Sequence, residues 1–249
     1  MGDFNRAMLD DTAHRPWPMP AEPWIMTQTW HDLLFAHWRV DAGVLRAKIP
    51  DAFELDLFAG HAWLGIVPFR MTNVSARGVA PLPRVSAFPE LNVRTYVTAG
   101  GKPGVFFFSL DAGNALAAAT ARTLLNLPYY RARMTSGEVD GEIRYDSRRS
   151  GDPAAVLRAT YAPAGPPRAA TRGSLEHFLV ERYCLYNVDR LRNPYRLEIH
   201  HAPWPLQPAA AAITDNGMAA VHGITLPPGA PLLHFARRLD VVVWRPARL

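Results

Sequence analysis

Strand-like segments recur along this chain without the regular alternation of strand and helix that builds a parallel sheet. The clearest pair is Leu91–Thr98, where apolar and polar side chains alternate, and the aromatic segment Val105–Leu110. Residues 100–104, Gly-Gly-Lys-Pro-Gly, are typical of a turn, so the pair is predicted to form a β-hairpin. Other strands are predicted at Phe53–Phe58, Ala62–Met71, Tyr129–Met134, Glu142–Asp146, Ala155–Tyr161, Leu197–His201, Leu232–Ala236 and Val241–Trp244. The sequence therefore predicts an α+β fold that is mainly antiparallel β, as a barrel or as two packed sheets.

Two or three helices are expected beside the strands. Asp41 can cap a short helix that runs to Lys48 and ends before a proline. The segment Asn114–Asn126 is rich in alanine and has helical spacing of its apolar residues, with Arg122 as its one charged residue, which predicts a buried helix. Ser174 is a predicted N-cap of a helix that ends near Tyr183.

The sequence predicts an N-terminal arm followed by a single domain. In residues 1–26, four prolines are interleaved with Trp17 and Met19, which favours an extended backbone. Apolar residues among the prolines indicate that the arm packs on its own domain or on a partner subunit, so a homo-oligomer formed through the arm is a candidate assembly. Residues 27–249 are expected to form one domain, because the loop at 163–173 is too short and too apolar to separate two.

Charge and composition exclude several classes of partner. The formal net charge is +5, and the 27 basic residues are scattered among 22 acidic ones. Because no zinc-finger spacing, helix-turn-helix or RNA-binding aromatic motif occurs, we expect no nucleic-acid partner. No segment approaches the run of about 18 apolar residues that spans a membrane. The polar, proline-rich N-terminal segment has no apolar run that could act as a signal sequence, so none is expected. With Cys184 as its single cysteine, the chain is expected to be cytoplasmic.

One strand carries a polar face that is a candidate for chemistry. Glu90, Asn92, Arg94 and Tyr96 lie two residues apart, so their side chains share one side of the strand. If this side faces the interior of a barrel, Arg94 can bind a carboxylate through two parallel hydrogen bonds and Glu90 can move a proton. The alternative is a solvent-facing surface with an Arg–Glu pair that contributes little.

Histidines and the lone arginine of the apolar helix are weaker candidates. His31, His37 and the adjacent His200-His201 have no recognised zinc spacing, so no metal is expected, and the absence of phosphate-binding and dinucleotide-binding glycine motifs predicts no cofactor. His37 is expected in the core or in a pocket. Arg122 needs a partner if it is buried, and Asp111 or Glu90 are the natural ones.

Several stretches resemble the YqjF-like family of unknown function, within the acetoacetate decarboxylase-like superfamily. They lie at 30–38, 60–69, 88–97, 104–111, 127–130 and 175–183, and the resemblance spans roughly residues 27–245. It implies a twisted, cone-like barrel with an internal pocket and helices packed outside. Decarboxylases of the superfamily form an imine on one of two adjacent lysines that follow a proline, and those positions look like Tyr129 and Tyr130 here. Glu90 falls where one of the pocket glutamates of the superfamily would lie.

The two lysines of the chain, Lys48 and Lys102, are expected in solvated positions, so lysine-dependent decarboxylation is disfavoured. Three hypotheses follow. The first is an enzyme that binds an oxo- or carboxylate-bearing molecule and catalyses proton transfer, hydration, aldol or lyase chemistry without a Schiff base. Glu90 would be its acid or base, Tyr129 or Tyr130 its hydroxyl donor, and its binding residues would be Arg94, Asn92, Tyr96, Arg122 and His37. The second is a non-catalytic small-molecule receptor on the same scaffold. The third is an assembly module that uses the arm. Which tyrosine faces inward stays open, because a register error of one residue exchanges them.

Overall fold

The structure is a computed structural model, and it describes residues 4–81, 86–114 and 126–249. Thirteen strands lie within these residues and form one hydrogen-bonded sheet. Their bounds are β1 Met26–Val40, β2 Glu54–Leu55, β3 Ala62–Ala76, β4 Phe88–Ala99, β5 Lys102–Ala112, β6 Tyr129–Val139, β7 Glu142–Arg149, β8 Val156–Pro163, β9 Cys184–Val188, β10 Pro194–His201, β11 Gln207–Asn216, β12 Leu232–Val243 and β13 Ala247–Arg248.

The sheet closes on itself in two rings that share five strands. Strands β3 to β8, together with β11, β12 and β1, form a closed nine-stranded barrel. The pairings of β9 with β5 and of β10 with β12 close a second ring of seven strands: β1, β3, β4, β5, β9, β10 and β12. All pairings are antiparallel except those of β5 with β6 and with β9. The predicted α+β fold with mainly antiparallel strands in a barrel is confirmed.

The shared strands have a hydrophobic core on each face. Leu33 and Phe35 belong to the core inside the seven-stranded ring, whereas Leu34 and Ala36 belong to the core inside the nine-stranded barrel. Because side chains alternate along a strand, a shared strand buries both of its faces, and in this part of β1 both faces are apolar. Gly104 of β5 lies against the Cys184 carbonyl of β9, where a Cβ atom would clash, so glycine permits this parallel contact.

Two short α-helices lie among the described residues. Helix α1 spans Ala42–Arg46, and Asp41 caps it by accepting a 3.0 Å hydrogen bond from the Val44 amide. Helix α2 spans Leu175–Val180, and Ser174 caps it by accepting a 3.2 Å bond from the His177 amide. Both caps match the prediction. The helix predicted over Asn114–Asn126 cannot be assessed, because residues 115–125 lie outside the described residues.

Strand β1 was not predicted, although it lies at the centre of both rings. Its sequence from Trp30 to Trp38 shows no alternation, because both of its faces are buried. Its pairing with β3 also shifts register between His31 and Ala36, where Asp32 adopts a left-handed backbone with a φ of 53°. A bulge of this kind breaks the period-two pattern on which strand prediction rests.

Two other strand predictions were wrong in extent. Of Phe53–Phe58, only Glu54–Leu55 pairs as a strand, because Phe53 donates its amide to Pro50 in a turn and Phe58 pairs with His61 instead. The predicted breaks between Leu232–Ala236 and Val241–Trp244 do not exist, since β12 runs continuously as the neighbour of β1. The intervening Arg237 and Arg238 do not interrupt the strand, because both retain access to solvent.

Part of the N-terminal segment lies on the outer face of β10. The Trp17 indole donates a 3.0 Å hydrogen bond to Glu198, and Arg15 donates a 2.8 Å bond to the Ile199 carbonyl. The Arg15 guanidinium also lies 4.8 Å from the centre of the Tyr183 ring. These contacts dock the segment on its own domain, as one of the two predicted arrangements requires.

Candidate functional site

A cavity of about 50 Å³ lies inside the seven-stranded ring. Its walls come from eight strands, β1, β3, β4, β5, β6, β9, β10 and β12, together with Leu127, Val180, Arg182 and Trp204, so no single stretch of sequence contains it. Most of the lining is apolar. The polar lining residues are Gln28, Trp30, Glu90, Asn92, Arg94, Tyr129, Arg182, His201 and Trp204.

Three of the predicted site residues line this cavity from β4. Glu90, Asn92 and Arg94 point into the seven-stranded ring, whereas Leu91 and Val93 belong to the core of the nine-stranded barrel. The polar face of β4, which the alternation of apolar and polar residues predicted, therefore points into the ring. At a rise of about 3.3 Å per residue, Glu90 and Arg94 lie about 13 Å apart along the strand, with Asn92 between them.

Glu90 and Tyr129 form a buried hydrogen-bonded pair in the cavity wall. The Tyr129 hydroxyl donates to Oε2 of Glu90 over 2.8 Å, and the Glu90 side chain is almost fully buried. Burial raises the pKa of Glu90 to about 8, although the hydrogen bond from Tyr129 opposes this rise. Burial and the neighbouring Glu90 carboxylate together raise the pKa of Tyr129 well above its ordinary value. At neutral pH Glu90 is therefore mostly protonated, and it can both donate and accept a proton near pH 8.

Tyr130 lies outside the cavity. It is 40% exposed, and the Arg149 guanidinium lies 4.0 Å from the centre of its ring. Because β6 begins at Tyr129, adjacent side chains point to opposite faces and only Tyr129 reaches the interior. Parallel pairing with β5 sets this register, with Tyr129 beside Leu110 and Tyr130 beside Asp111. The structure thus separates two residues that the sequence left interchangeable, and Tyr130 is not part of the cavity.

A matched pair of tyrosine variants tests this arrangement. Tyr129→Phe removes a hydrogen bond that favours the ionised form of Glu90, so we expect the pKa of Glu90 to rise above about 8. A hydrogen bond to a charged group is worth about 1.5–3 kcal/mol, which corresponds to at least a tenfold weaker acid. Tyr130→Phe should leave the pKa unchanged. The measurement is a pH titration of the Glu90 carboxyl carbon by NMR, and equal pKa values in the two variants would refute the pairing.

Arg94 is a buried cation without a carboxylate partner in the described part of the chain. It is 8% exposed, and a terminal nitrogen donates a 3.3 Å hydrogen bond to the Leu179 carbonyl. Its Nε has no partner among the described residues. Gly65 lies opposite on β3, and a Cβ there would come within 3.3 Å of the Arg94 side chain. The Phe35 ring, 5.4 Å from the guanidinium carbon, supplies a weak cation–π contact.

His37 and Tyr96 do not line the cavity, but they belong to a hydrogen-bonded group that includes Arg94. The Tyr96 hydroxyl donates to the Leu179 carbonyl over 2.9 Å and lies 2.7 Å from Nε2 of His37. The same carbonyl of α2 accepts from Arg94, so it links Tyr96 and Arg94 directly, and His37 joins them through the Tyr96 hydroxyl. Burial, and then the charge of Arg94, lower the pKa of His37 well below its ordinary value, so it is neutral.

Sequence reasoning missed five polar residues of the cavity: Gln28, Trp30, Arg182, His201 and Trp204. The first two lie on β1, where the Trp30 indole donates a 2.8 Å hydrogen bond to the Gln28 side chain. Arg182 follows α2 and forms a 2.7 Å ion pair with Asp56, so its charge is balanced. Trp204 presents an indole nitrogen without a hydrogen-bond partner among the described residues. His201 accompanies it, and burial lowers the pKa of this histidine. No local pattern distinguishes these residues, although Arg182 falls in a stretch that carried the family resemblance.

Arg122 lies outside the described residues, so its predicted role is not assessed. Of its two predicted partners, Asp111 has another partner. It is fully buried and accepts hydrogen bonds of 2.7 and 3.1 Å from two guanidinium nitrogens of Arg149. This pair lies beneath Tyr130, away from the cavity.

Neither lysine of the chain lines the cavity. Lys102 forms a 2.7 Å ion pair with Glu198 on the outer face of β10, and Lys48 lies beside Gly223. Among the described residues, no group of three His, Cys, Asp or Glu side chains is close enough to hold a metal ion. None of the helices in the described ranges is long and apolar enough to cross a membrane.

Comparison with known sequences identifies relatives along most of the chain. The model of the DUF2071 family, described as an uncharacterized conserved protein, matches residues 27–240. The uncharacterized protein YqjF of Bacillus subtilis (strain 168) is 49% identical over 226 residues, which cover 91% of this chain and 93% of that protein.

Solved structures of other proteins share the fold at low sequence identity. An acetoacetate decarboxylase from Legionella pneumophila superposes with a TM-score of 0.63 at 14% identity, covering 97% of this chain and 95% of the other. The enduracididine biosynthesis enzyme MppR, complexed with the condensation product of pyruvate and imidazole 4-carboxaldehyde, gives a TM-score of 0.63 at 11% identity over 94% and 92% of the two chains. The acetoacetate decarboxylase-like fold suggested by the sequence is confirmed.

Proposed function

The chain belongs to the DUF2071 family of uncharacterized conserved proteins, and on that premise we propose that it binds a small 2-oxo acid in the barrel cavity and transfers a proton at the carbon next to the oxo group. The proposal assigns carboxylate binding to Arg94, proton transfer to Glu90, and support of Glu90 to Tyr129. It involves neither a metal nor an organic cofactor.

The unpaired charge of Arg94 carries the proposal. Arg182, the other arginine of the lining, is balanced by Asp56, and Glu90 is mostly protonated at neutral pH. The cavity therefore holds one net positive charge without a partner among the described residues. A buried charge that stays unpaired costs several kcal/mol. An anionic ligand would remove this cost, and a carboxylate matches the geometry of a guanidinium.

The order of polar groups along β4 fits a 2-oxo acid. Arg94, Asn92 and Glu90 follow one another on one face, in the order carboxylate, oxo group and reacting carbon. Ionised Glu90 would take a proton from that carbon, and the electron pair of the C–H bond would move to the oxo oxygen as an enolate. The Trp204 indole nitrogen, which has no hydrogen-bond partner among the described residues, is a donor available to hold this oxygen. The proton then returns from Glu90 to carbon.

The cavity limits the ligand to a small molecule. A buried water needs about 10–15 Å³, so a cavity of about 50 Å³ has room for roughly four water-sized groups. Pyruvate and 2-oxobutyrate are near this size. MppR has been solved with a condensation product of pyruvate, which supports a 2-oxo acid as the ligand class on this fold. The proposed chemistry needs no imine, in keeping with the position of both lysines outside the cavity.

The test is exchange of carbon-bound hydrogen. Pyruvate, 2-oxobutyrate and the neutral ketone 2-butanone would be incubated with the protein in deuterated buffer and followed by proton NMR. We expect deuterium at C3 of the acids, faster than in buffer alone, with a rate that rises with pH up to about 8 as Glu90 ionises. Loss of a general base costs about 10²- to 10⁴-fold in rate, so Glu90→Gln should be nearly inactive.

Controls separate binding from chemistry. Glu142→Gln, which changes an exposed glutamate, should exchange as the wild type does. Arg94→Met should weaken binding of the acids by about 10- to 100-fold without improving turnover of the ketone. Exchange that is equal in wild type and Glu90→Gln would refute the proposal. Stabilisation of the fold by the acids without any exchange would instead support the receptor hypothesis.

A further inference from the structure

A second polar recess lies outside the barrel cavity, between the loop at 163–173 and strand β12. It has a free volume of about 260 Å³ and is called the loop cleft here. Its polar lining residues are Arg168, Thr171, Ser174, Glu176, Gln207 and His234. None of them lines the barrel cavity.

Hydrogen bonds hold the loop in place over the start of β11. The Arg168 amide donates to the Leu206 carbonyl over 2.7 Å, and the Gln207 side chain donates to the Gly165 carbonyl over 2.7 Å. His234 forms the floor from β12, where it pairs with Pro208. The walls of the cleft are therefore backbone segments that hydrogen bonds hold in place.

The loop cleft contains one cation and one anion that do not meet. Arg168 and Glu176 both line it, yet no ion pair joins either of them to a residue in the described ranges. Hydrogen bonds from its own backbone amide and from Ser174, with a smaller contribution from the charges of His234 and Arg168, lower the pKa of Glu176, so its carboxylate is ionised at neutral pH. Burial lowers the pKa of His234, so its ring is neutral.

His234 adds an unsatisfied polar group. The residue is 7% exposed, and its Nδ1 has no hydrogen-bond partner among the described residues. Buried polar atoms are normally bonded, and a bound water or ion is one explanation for an exception. Its position in the floor of a cleft with charged walls indicates a polar ligand.

We propose that the loop cleft binds a small zwitterion of the amino-acid class, with its carboxylate on Arg168 and its ammonium group on Glu176. Arg168 is exposed and Glu176 is partly buried, so the cleft presents one charge of each sign that a ligand can reach. A zwitterion forms charge-assisted hydrogen bonds with both, whereas a simple anion or cation forms them with only one. Its volume exceeds that of the barrel cavity and accommodates an amino acid. The proposal is independent of the function proposed for the barrel.

Isothermal titration calorimetry of the full chain tests the proposal. The probes are glycine, β-alanine and 4-aminobutyrate, whose charges are increasingly far apart, with acetate and methylamine as single-charge fragments. We expect at least one zwitterion to bind about tenfold or more tightly than either fragment, since it makes charge-assisted hydrogen bonds at both of its ends.

Single substitutions complete the test. Arg168→Gln and Glu176→Gln should each weaken binding of the zwitterion about tenfold. Arg172→Gln changes an exposed arginine of the same loop outside the cleft and should leave binding unchanged. Binding of the zwitterions no tighter than that of both fragments would overturn the proposal. Binding that survives both cleft substitutions, or that is lost equally in Arg172→Gln, would also overturn it.

Discussion

Arg94→Met is expected to stabilise the ligand-free protein by about 1–3 kcal/mol, because it removes a buried charge that has no carboxylate partner among the described residues. Methionine fills a similar volume and can pack against Phe35, which already lies beside the guanidinium. Residues that serve a ligand are often unfavourable in its absence, so a gain in stability together with a loss of binding identifies such a residue. The same variant should no longer be stabilised by 2-oxo acids.

Arg149→Met is the matched control and should have the opposite effect. Arg149 is also buried, but it forms an ion pair with the fully buried Asp111 and stacks on Tyr130. Removing one partner of a buried ion pair leaves an uncompensated charge and costs about 3–5 kcal/mol. The same change, arginine to methionine, is thus expected to stabilise at one buried position and destabilise at the other.

Urea unfolding at neutral pH measures both effects as changes in the free energy of unfolding. The two variants should differ by several kcal/mol in opposite directions from the wild type. A loss of stability in Arg94→Met comparable with that in Arg149→Met would show that Arg94 is a structural residue. The assignment of a carboxylate anchor would then fail.

Glu90→Gln is expected to change how stability depends on pH. The pKa of Glu90 is about 8 in the folded protein against an ordinary value of 4.5, so the folded state binds the proton more tightly. Below pH 4.5 this carboxyl is protonated in both the folded and the unfolded wild type, so folding buries no charge. As the pH rises from 4.5 to about 8, the unfolded state ionises first, and the wild type loses stability. The full loss is on the order of 4–5 kcal/mol. Glutamine mimics the protonated form and does not titrate.

The informative quantity is the difference in unfolding free energy between wild type and Glu90→Gln across pH 4–9. Buried histidines such as His37 and His201, whose pKa values are lowered, destabilise the fold as the pH falls through 6.5, and the subtraction cancels this opposing trend. Between pH 4.5 and 8 the unfolding free energy of the wild type should fall relative to that of Glu90→Gln, and above pH 8 the difference should stay constant. Glu142→Gln, at an exposed position, should give a flat difference. A flat difference for Glu90→Gln would mean that its carboxyl is not buried against the cavity.

Local patterns in the sequence were sufficient for much of the strand content and for one face of β4. Alternation over Leu91–Thr98 predicted the strand, and the same alternation grouped Glu90, Asn92 and Arg94 on one side. The caps Asp41 and Ser174 also follow from local chemistry, because a cap bonds an amide only a few residues away. In β1, where both faces are largely buried and a bulge shifts the register, the alternation disappears and the strand was not predicted.

The sequence by itself determined that the chain is mainly antiparallel β and that Glu90, Asn92 and Arg94 share a face, since both depend on residues close together in the chain. Only the tertiary structure determined which residues lie opposite that face. Closure of the seven-stranded ring brings Arg182 and Trp204 to the cavity from distant segments, and parallel pairing with β5 sets Tyr129 inward and Tyr130 outward. It also leaves Arg94 without a carboxylate partner among the described residues while Arg149 meets Asp111. Which residue pairs with a buried charge depends on pairing between strands far apart in sequence, and no periodic pattern within one segment predicts it.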